Sequence, residues 1–278
     1  MPLTAILLVL AAAVTHAAWN LLAKRVRGGM ETVWLYSSIG TLMLAPWALY
    51  AYAEAWPRLG AREAYSLAGS CFWQLIYFVC LQQAYKHGDL SLVYPVARGA
   101  GPLIASVGAM LVLGESAPLT AWIGIAMISG GVLFFLQFGG GPRTAILWGL
   151  ATGVIIGVYS LWDKYAISGL GLAPIMIEWT TDASRAITLA PVARGKWREA
   201  WRASPFTLCW IALLNPLAYI FVLSAMQLAP LHRVAPMREL SIVLGTVLGA
   251  RLLGEPQSAH RISGACVIAA GVFFLSIA

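Results

Sequence analysis

Apolar residues fill ten long stretches of the chain, and short polar segments separate one stretch from the next. The stretches cover roughly residues 3–23, 32–52, 65–84, 90–113, 119–138, 145–166, 173–192, 205–225, 234–253 and 261–278. A membrane-spanning α-helix needs about 20 consecutive, mostly apolar residues, and each stretch is close to that length. The pattern therefore predicts an all-α integral membrane protein of ten transmembrane helices joined by short connections.

The amino-acid composition supports this prediction. The chain is 60% hydrophobic and only 10% charged, whereas a soluble domain is about one quarter charged. A surface that faces water needs more charge than this, which excludes ordinary soluble, coiled-coil and disordered classes. The net charge of +7 does not indicate a nucleic-acid partner, because the Lys and Arg residues cluster at the ends of apolar stretches, where they contact lipid headgroups.

No motif in the sequence calls for a cofactor, a metal or an enzymatic reaction. The four cysteines lie inside apolar stretches without a CxxC spacing, and the four histidines are dispersed. Neither a phosphate-binding P-loop, a GxSxG segment nor an HExxH segment occurs.

The chain repeats itself at an offset of 140 residues. Arg98 corresponds to Arg238, and the Leu-Gly-Glu segment at 113–115 corresponds to 253–255. We predict a first repeat over residues 1–138, a linker over 139–144 and a second repeat over 145–278. Five helices per repeat is an odd number, so the second repeat enters the membrane from the opposite side. Inverted repeats of this kind are typical of secondary transporters, whose central site opens to either side.

Two arginines lie inside apolar stretches at equivalent places. Arg98 falls in the middle of the fourth stretch and Arg238 in the ninth. A charge inside a membrane is costly and usually faces a cavity or a partner of opposite charge. Two guanidinium groups suit a carboxylate or phosphate ligand. Alternatively each arginine neutralises a buried acid, with Arg238 paired to Glu239 or Asp182 and Arg98 paired to Glu178.

Prolines precede both arginines. Pro95 and Pro236 each remove a backbone donor and free a carbonyl group one turn earlier. We therefore expect both helices to be broken around a central site.

The seventh stretch carries four polar residues on one helical face. They are Glu178, Thr181, Asp182 and Arg185, and spacings of three and four residues place them on one face of a helix. This face cannot contact lipid. Either it lines the transport pathway, or its charges satisfy one another as buried ion pairs inside the bundle.

A second polar stripe lies on the first stretch. His16, Trp19 and Asn20 share one face there, and all three are candidates for substrate contact. A histidine inside a membrane is a candidate proton-coupling group because its pKa lies near neutrality. The alternative role is that of a neutral hydrogen-bonding partner between helices.

Amides and aromatic rings recur at related positions of the third and eighth stretches. Gln74 and Tyr77 lie in the third, and Asn215 and Tyr219 in the eighth. Symmetric amides can bind a polar headgroup, and the candidate aromatic contacts to an apolar side chain include Tyr77, Tyr94, Tyr159 and Tyr219. Aromatic walls with a few polar groups are typical of small-molecule sites, although many Trp and Tyr residues also form belts at membrane interfaces.

Glycines are spaced for close helix packing in the second half. Gly149, Gly153 and Gly157 form one small-xxx-small ridge, and Gly245 and Gly249 form another. Such ridges let helix backbones approach one another closely. We interpret them as packing or sliding surfaces.

Several short segments together resemble the EamA family of the drug/metabolite transporter superfamily. They are the HAAWN segment at 16–20 followed by Lys24, the two Leu-Gly-Glu segments, and the YSLWDKY segment at 159–165. The resemblance covers nearly the whole chain, and it implies a ten-helix basket with a central cavity. The first, third, fourth, sixth, eighth and ninth helices would line that cavity, and both termini would be cytoplasmic.

The resemblance also implies a function. Known members of the family export amino acids and other metabolites, and the amino-acid exporters are the best match here. More distant relatives exchange sugar phosphates and nucleotide sugars with basic residues in the fourth and ninth helices, where Arg98 and Arg238 lie. The four-helix multidrug relatives use a glutamate in the first helix, but no acid occurs between Met1 and Leu22. Export of lipophilic cations by that mechanism is therefore not expected.

We expect an amino-acid exporter of broad specificity in a bacterial-type inner membrane, working as a monomer by alternating access. Arg98 and Arg238 would hold the carboxylate of the substrate, or one of them would hold it while the other pairs with an acid. The amino group of the substrate would contact Gln74, Asn215 and Tyr77. The side chain of the substrate would contact Trp19, Tyr94 and Tyr159. Its partners would be the small-molecule substrate and the lipid bilayer, with no nucleic acid and no cofactor. The alternatives are a translocator of organic phosphates or phosphonates, and a membrane-embedded enzyme.

The charges in the loops favour the orientation opposite to the one that the resemblance implies. With a cytoplasmic N-terminus, the outside loops would hold Lys24, Arg25, Arg27, Lys86, Arg143, Arg194, Lys196, Arg198 and Arg202. The inside loops would hold chiefly Arg58, Arg62 and Arg233. Because cytoplasmic loops normally carry the excess of Lys and Arg, the two arguments disagree.

Overall fold

The computed structural model describes residues 1–26, 29–88, 90–133, 142–195, 197–244 and 259–277. This part of the chain is helical throughout, with short connections and no strand. The helices are α1 Leu3–Val26, α2 Met30–Ala55, α3 Ala61–His87, α4 Leu90–Leu113, α5 Leu119–Leu133, α6 Arg143–Ser168, α7 Pro174–Ala193, α8 Trp197–Ala203, α9 Pro205–Leu228, α10 Leu231–Met237 and α12 Ala259–Ile277, with a 3-10 turn over Trp56–Arg58. Between α10 and α12, a helix α11 begins at residue 240 and is described as far as residue 244.

The all-helical class predicted from the sequence is confirmed. Within the described residues, five helices contain segments long and apolar enough to cross a membrane: Leu3–Ala23, Ala61–Ala84, Val96–Leu113, Arg143–Ser168 and Pro205–Leu228. Leu119–Gly131 and Cys266–Leu275 are shorter apolar helices. Helix α7 is less apolar because it carries Glu178, Asp182 and Arg185. The total of ten transmembrane helices stays a prediction.

The helix contacts of one half recur in the other half. The sequence offset relates α1 to α6 and α3 to α9, and the contact of α1 with α9 recurs as that of α6 with α3. The contact of α2 with α9 recurs in the same way as that of α7 with α3. Helices α2 and α7, and helices α5 and α12, are equivalent pairs that contact each other directly. The two halves are therefore related by an approximate two-fold axis that passes between the members of these pairs.

Glycines allow α5 and α12 to cross at short range. A Cβ atom added to Gly124 would lie 2.8 Å from the backbone oxygen of Gly271, and one added to Gly271 would lie 2.8 Å from that of Gly124. A Cβ on Gly131 would lie 3.0 Å from the backbone oxygen of Gly264. Because the offset relates Gly124 to Gly264 and Gly131 to Gly271, these close approaches are one contact repeated by the two-fold axis.

This crossing gives a test of the helix packing. We expect Gly124→Ala to destabilise the protein by about 1–3 kcal/mol, because the new methyl group meets backbone atoms that cannot rotate away. Gly130→Ala in the same helix is the matched control, since nothing lies within 4 Å of a Cβ at that position. The midpoint of thermal unfolding in detergent should fall for Gly124→Ala and should stay level or rise for Gly130→Ala, because alanine favours a helix over glycine. Equal midpoints for the two variants would contradict the described crossing.

The glycine ridge of α6 packs against α4. A Cβ on Gly153 would lie 3.0 Å from the backbone oxygen of Ala97, and one on Gly157 would lie 3.1 Å from the backbone nitrogen of Ala105. The predicted role of these glycines in close packing therefore matches the structure, whereas Gly245 and Gly249 lie outside the described residues. The contact holds the Arg98 segment of α4 directly against α6.

The ninth predicted span is interrupted, and the fourth is not. Helix α10 ends at Met237, Arg238 and Glu239 form a turn, and α11 begins at residue 240. Pro236 leaves the carbonyl group of His232 without its helical donor. The Ser106 hydroxyl of α4 donates to the Pro102 carbonyl at 2.7 Å and lies 3.4 Å from the His232 carbonyl. Helix α4 continues past Pro95, which lies near its start, where a missing backbone donor is better tolerated. The expectation that both helices are broken is therefore met in only one half.

Glu115 connects the end of α4 to the start of α10. Its carboxylate accepts hydrogen bonds from the backbone nitrogens of Leu231 (2.7 Å) and His232 (3.0 Å), and it contacts Nδ1 of His232 at 2.7 Å. Burial raises the pKa of the Glu115 carboxyl, but the hydrogen bonds from His232 and Leu231 outweigh burial and hold this pKa below its usual range. The glutamate of the first Leu-Gly-Glu segment thus fastens one half of the molecule to the other.

This contact makes a pH-dependent prediction. Because the pKa of Glu115 is lower in the folded state, its contribution to stability is present above the unfolded pKa and is lost as the pH falls through the folded pKa. We expect Glu115→Gln to cost about 1–3 kcal/mol near pH 7 and progressively less below about pH 4. Thermal unfolding of Glu115→Gln and of the exposed control Glu199→Gln, each measured across pH, checks this. A loss that is the same at every pH would contradict the role of the charge.

Candidate functional site

A cavity of about 220 Å³ lies between the two halves. Helices α1, α2, α3, α4, α6, α7 and α9 line it, together with the turn between α10 and α11. Eleven of the residues singled out in the sequence line this cavity: His16, Trp19, Gln74, Tyr77, Arg98, Tyr159, Glu178, Arg185, Asn215, Tyr219 and Arg238. The structure therefore brings most of the candidates together. They come from the six spans that the resemblance places at the cavity and from the seventh span, which forms α7.

Four candidates are not among the lining residues. The side chain of Asn20 donates to the backbone oxygen of His16 at 2.7 Å, inside its own helix. Asp182 and Glu239 are buried behind the cavity wall. The side chain of Tyr94 lies outside the described part of the structure.

Arg98 and Arg238 share one carboxylate. Nε of Arg98 lies 2.9 Å from Oε2 of Glu239, and Nε of Arg238 lies 3.4 Å from Oε1 of the same group. The Glu239 side chain is completely buried. The predicted pairing of Arg98 with Glu178 is wrong, because the turn after α10 places Glu239 between the two arginines. The alternative pairing of Arg238 with Glu239 is confirmed.

Two guanidinium groups therefore contact a single carboxylate in this cluster. Arg238 is 6% exposed, and its Nη2 atom has no hydrogen-bond partner among the described residues. Arg98 also donates from Nη2 to the Ser241 hydroxyl at 3.3 Å. Pairing and cavity lining therefore coexist in both arginines, and a ligand role for them stays a prediction.

The polar face of α7 divides into a pair and a single carboxylate. Nη1 of Arg185 lies 2.6 Å from Oδ1 of Asp182 and donates to the Ser37 hydroxyl at 3.4 Å. Glu178 is 3% exposed and lines the cavity. Its carboxylate makes no hydrogen bond or ion pair with another residue that the structure describes. Cavity lining and ion pairing therefore both occur on this face: Glu178 and Arg185 line the cavity, and Arg185 also pairs with Asp182.

The structure adds a buried acid that is not among the predicted site residues. Asp163 of α6 is completely buried and accepts hydrogen bonds from the hydroxyls of Ser70 and Tyr219, each at 2.6 Å. Tyr219 in turn lines the cavity. The sequence does carry a signal for it, since Asp163 lies four residues after Tyr159 and so shares its helical face.

Three tyrosines form a continuous aromatic wall. The ring centroids of Tyr77 and Tyr159 lie 5.8 Å apart, and those of Tyr159 and Tyr219 lie 6.1 Å apart, both pairs at 73°. These edge-to-face contacts join α3, α6 and α9 on one side of the cavity. The rings give it an apolar surface next to the charged groups.

The hydrogen bonds around His16 favour its neutral form. Nε1 of Trp19 donates to Nδ1 of His16 at 3.2 Å. An indole N–H can only donate, so Nδ1 acts as the acceptor and carries no proton in this arrangement. The geometry favours a neutral His16, but this bond lies within α1. Its roles as a hydrogen-bonding partner between helices and as a proton-coupling group both stay predictions.

These features define a class of protein. Two related helical halves that enclose a central cavity of charged and aromatic groups are the architecture of a membrane transporter. The sequence matches the EamA-like transporter family over residues 3–137 and again over residues 143–277. The chain belongs to this family, which lies in the drug/metabolite transporter superfamily and whose members carry small molecules across membranes.

A comparison with solved structures supports the fold. One, described only as "Crystal structure of protein", superposes with a TM-score of 0.76 and covers 98% of this chain and 96% of its own. The two sequences are 17% identical, so this likeness concerns the fold alone. No curated protein matches the sequence.

Proposed function

We propose that this protein exports amino acids across a bacterial-type inner membrane, as a monomer, by alternating access of its two halves. The observation that carries the proposal is the arginine pair at the cavity wall. Arg98 and Arg238 share the Glu239 carboxylate, and Nη2 of Arg238 has no hydrogen-bond partner among the described residues. A substrate carboxylate that binds Nη2 of Arg238 would supply the missing anion in a charge-assisted hydrogen bond.

The remaining walls suit the rest of an amino acid. Gln74, Tyr77 and Asn215 line the cavity and offer amide and hydroxyl groups to the amino end. Trp19 and Tyr159 offer aromatic surface to the side chain. The volume of about 220 Å³ lies below the roughly 300–1,000 Å³ of pockets that hold drug-sized ligands. This size supports a small metabolite.

A second candidate substrate is an organic phosphate or phosphonate. Three guanidinium groups line the cavity, those of Arg98, Arg185 and Arg238, against the single carboxylate of Glu178. A doubly charged phosphate binds such groups through several oxygens at once. An enzymatic activity is not part of the proposal.

Uptake into proteoliposomes tests the proposal. A mixed panel of radiolabelled amino acids is offered with and without a pH gradient, and protein-free liposomes serve as the control. We expect saturable uptake of several amino acids, competed by unlabelled amino acids and not by organic phosphates. Uptake of phosphonates or organic phosphates in place of amino acids would establish the second candidate. A gradient that changes the final accumulation, and not only the rate, would show coupling to protons.

A further inference from the structure

Glu178 is the one charged cavity-lining group, among the described residues, whose charged atoms make neither a hydrogen bond nor an ion pair. It lies on α7 and is 3% exposed. A helix that the family resemblance did not place at the cavity therefore contributes a buried carboxylate to it.

A buried carboxylate needs a compensating positive charge, because an isolated ion in a low-dielectric interior is very costly. The guanidinium groups around the cavity are already engaged by other acids. Arg185 lies 2.6 Å from Asp182, and Arg98 and Arg238 share Glu239. Gln74 and Asn215 are neutral and cannot balance a charge. Glu178 can therefore be neutralised by a proton or by a cation that enters the cavity, and a ligand that carries a positive charge can supply that cation.

The cluster of Arg98, Arg238 and Glu239 includes a positively charged group at the same cavity. Arg238 lines the same cavity, and its buried Nη2 atom has no hydrogen-bond partner among the described residues. Within the part of the chain that the structure describes, the residues that line one cavity thus include a carboxylate without an ion pair, on α7, and a guanidinium with one atom that lacks a hydrogen bond, in the α10–α11 turn. A small molecule that carries a carboxylate and an ammonium group at once satisfies both.

We propose that Glu178 binds the protonated amino group of the substrate and is the residue that selects α-amino acids over the corresponding hydroxy and keto acids. This inference rests on the proposed amino-acid transport and adds an ionic partner to the amides for the amino end. It makes α7 a substrate-binding helix.

A pair of substrates that differ only at the amino position tests the proposal. Leucine and its 2-hydroxy analogue share the carboxylate and the side chain, so the carboxylate site treats them alike. We expect the wild-type protein in proteoliposomes to prefer leucine about 10- to 100-fold, the effect of one hydrogen bond to a charged group. Glu178→Gln should lower leucine uptake by this factor and leave uptake of the hydroxy analogue nearly unchanged.

Matched variants separate a specific loss from a general one. Glu199→Gln removes an exposed carboxylate from α8 and should keep the wild-type preference. Glu178→Asp keeps the charge on a shorter side chain and should keep part of the preference. Stabilisation of each purified variant against heat by leucine and by its analogue gives a second readout that does not depend on transport.

The outcomes distinguish this inference from the function on which it rests. If the wild-type protein carries no amino acid, both fail. If it carries leucine, but Glu178→Gln keeps the wild-type preference, only the role of Glu178 fails. If Glu178→Gln keeps the preference but loses accumulation driven by a pH gradient, Glu178 carries a proton instead and the proposal is overturned.

Discussion

Replacing Glu239 with glutamine is expected to destabilise the protein by about 3–5 kcal/mol, because removing one partner leaves buried charge uncompensated. Glu239 is completely buried and is the carboxylate that both Arg98 and Arg238 contact. The neutral amide can still accept a hydrogen bond, but it cannot balance two guanidinium groups. The midpoint of thermal unfolding in detergent measures the loss, with the exposed Glu199→Gln as the control.

A double-mutant cycle measures the energetic coupling between Glu239 and Arg98. Arg98→Met alone should destabilise the protein, since it removes a partner of Glu239. In the Glu239→Gln background the same change should stabilise it, because it removes one of two uncompensated cations. A change of sign between backgrounds is the signature of direct coupling. If the two single effects simply add, the shared carboxylate does not balance the two arginines.

Replacing Arg238 with alanine is expected to lower amino-acid uptake at least about 30-fold, the effect of truncating one partner of a buried charged contact. Arg238→Lys should lower uptake by a smaller factor, about tenfold, because lysine keeps the charge but lacks the planar fork that binds a carboxylate through two nitrogens. Initial uptake rates over a range of substrate concentrations separate a loss of affinity from a loss of turnover. Arg198→Ala, on the exposed side of α8, is the control.

The lysine variant carries the most information. Wild-type kinetics in Arg238→Lys, and also in Arg98→Lys, would show that neither guanidinium binds the substrate through its fork. The arginines would then serve only to balance Glu239. A loss of uptake in Arg238→Ala together with a lower unfolding midpoint would point to the same structural role, so both measurements are made on each variant.

The sequence predicts the helices well because each apolar stretch is a local signal. The fourth predicted span, 90–113, has the same bounds as α4, and the sequence also marks the interruption near Pro236. The repeat offset by itself predicts that Arg98 and Arg238 occupy equivalent places at one site. These successes depend on composition and spacing along the chain.

The contacts around the site could not be predicted in the same way. Ser70 and Asp163 are 93 residues apart, and Glu115 and His232 are 117 apart, so no helical spacing relates them. Arg98 finds Glu239, not Glu178, because the turn after Met237 carries that carboxylate between the arginines. The packing of the helices determines which acid pairs with which base. From the sequence alone, several acids are equally possible partners for each arginine.

The interruption after α10 bears on the side of the membrane to which the resting protein opens. Alternating access in a repeat protein corresponds to each half taking up the conformation of the other, so α4 would break near Arg98 while α10 and α11 joined. The halves are not equivalent there, because the residue that corresponds to Glu239 at the offset of 140 is Gly99. The shared carboxylate belongs to one half alone, and we expect its contacts with both arginines to favour the state that has the break in the second half.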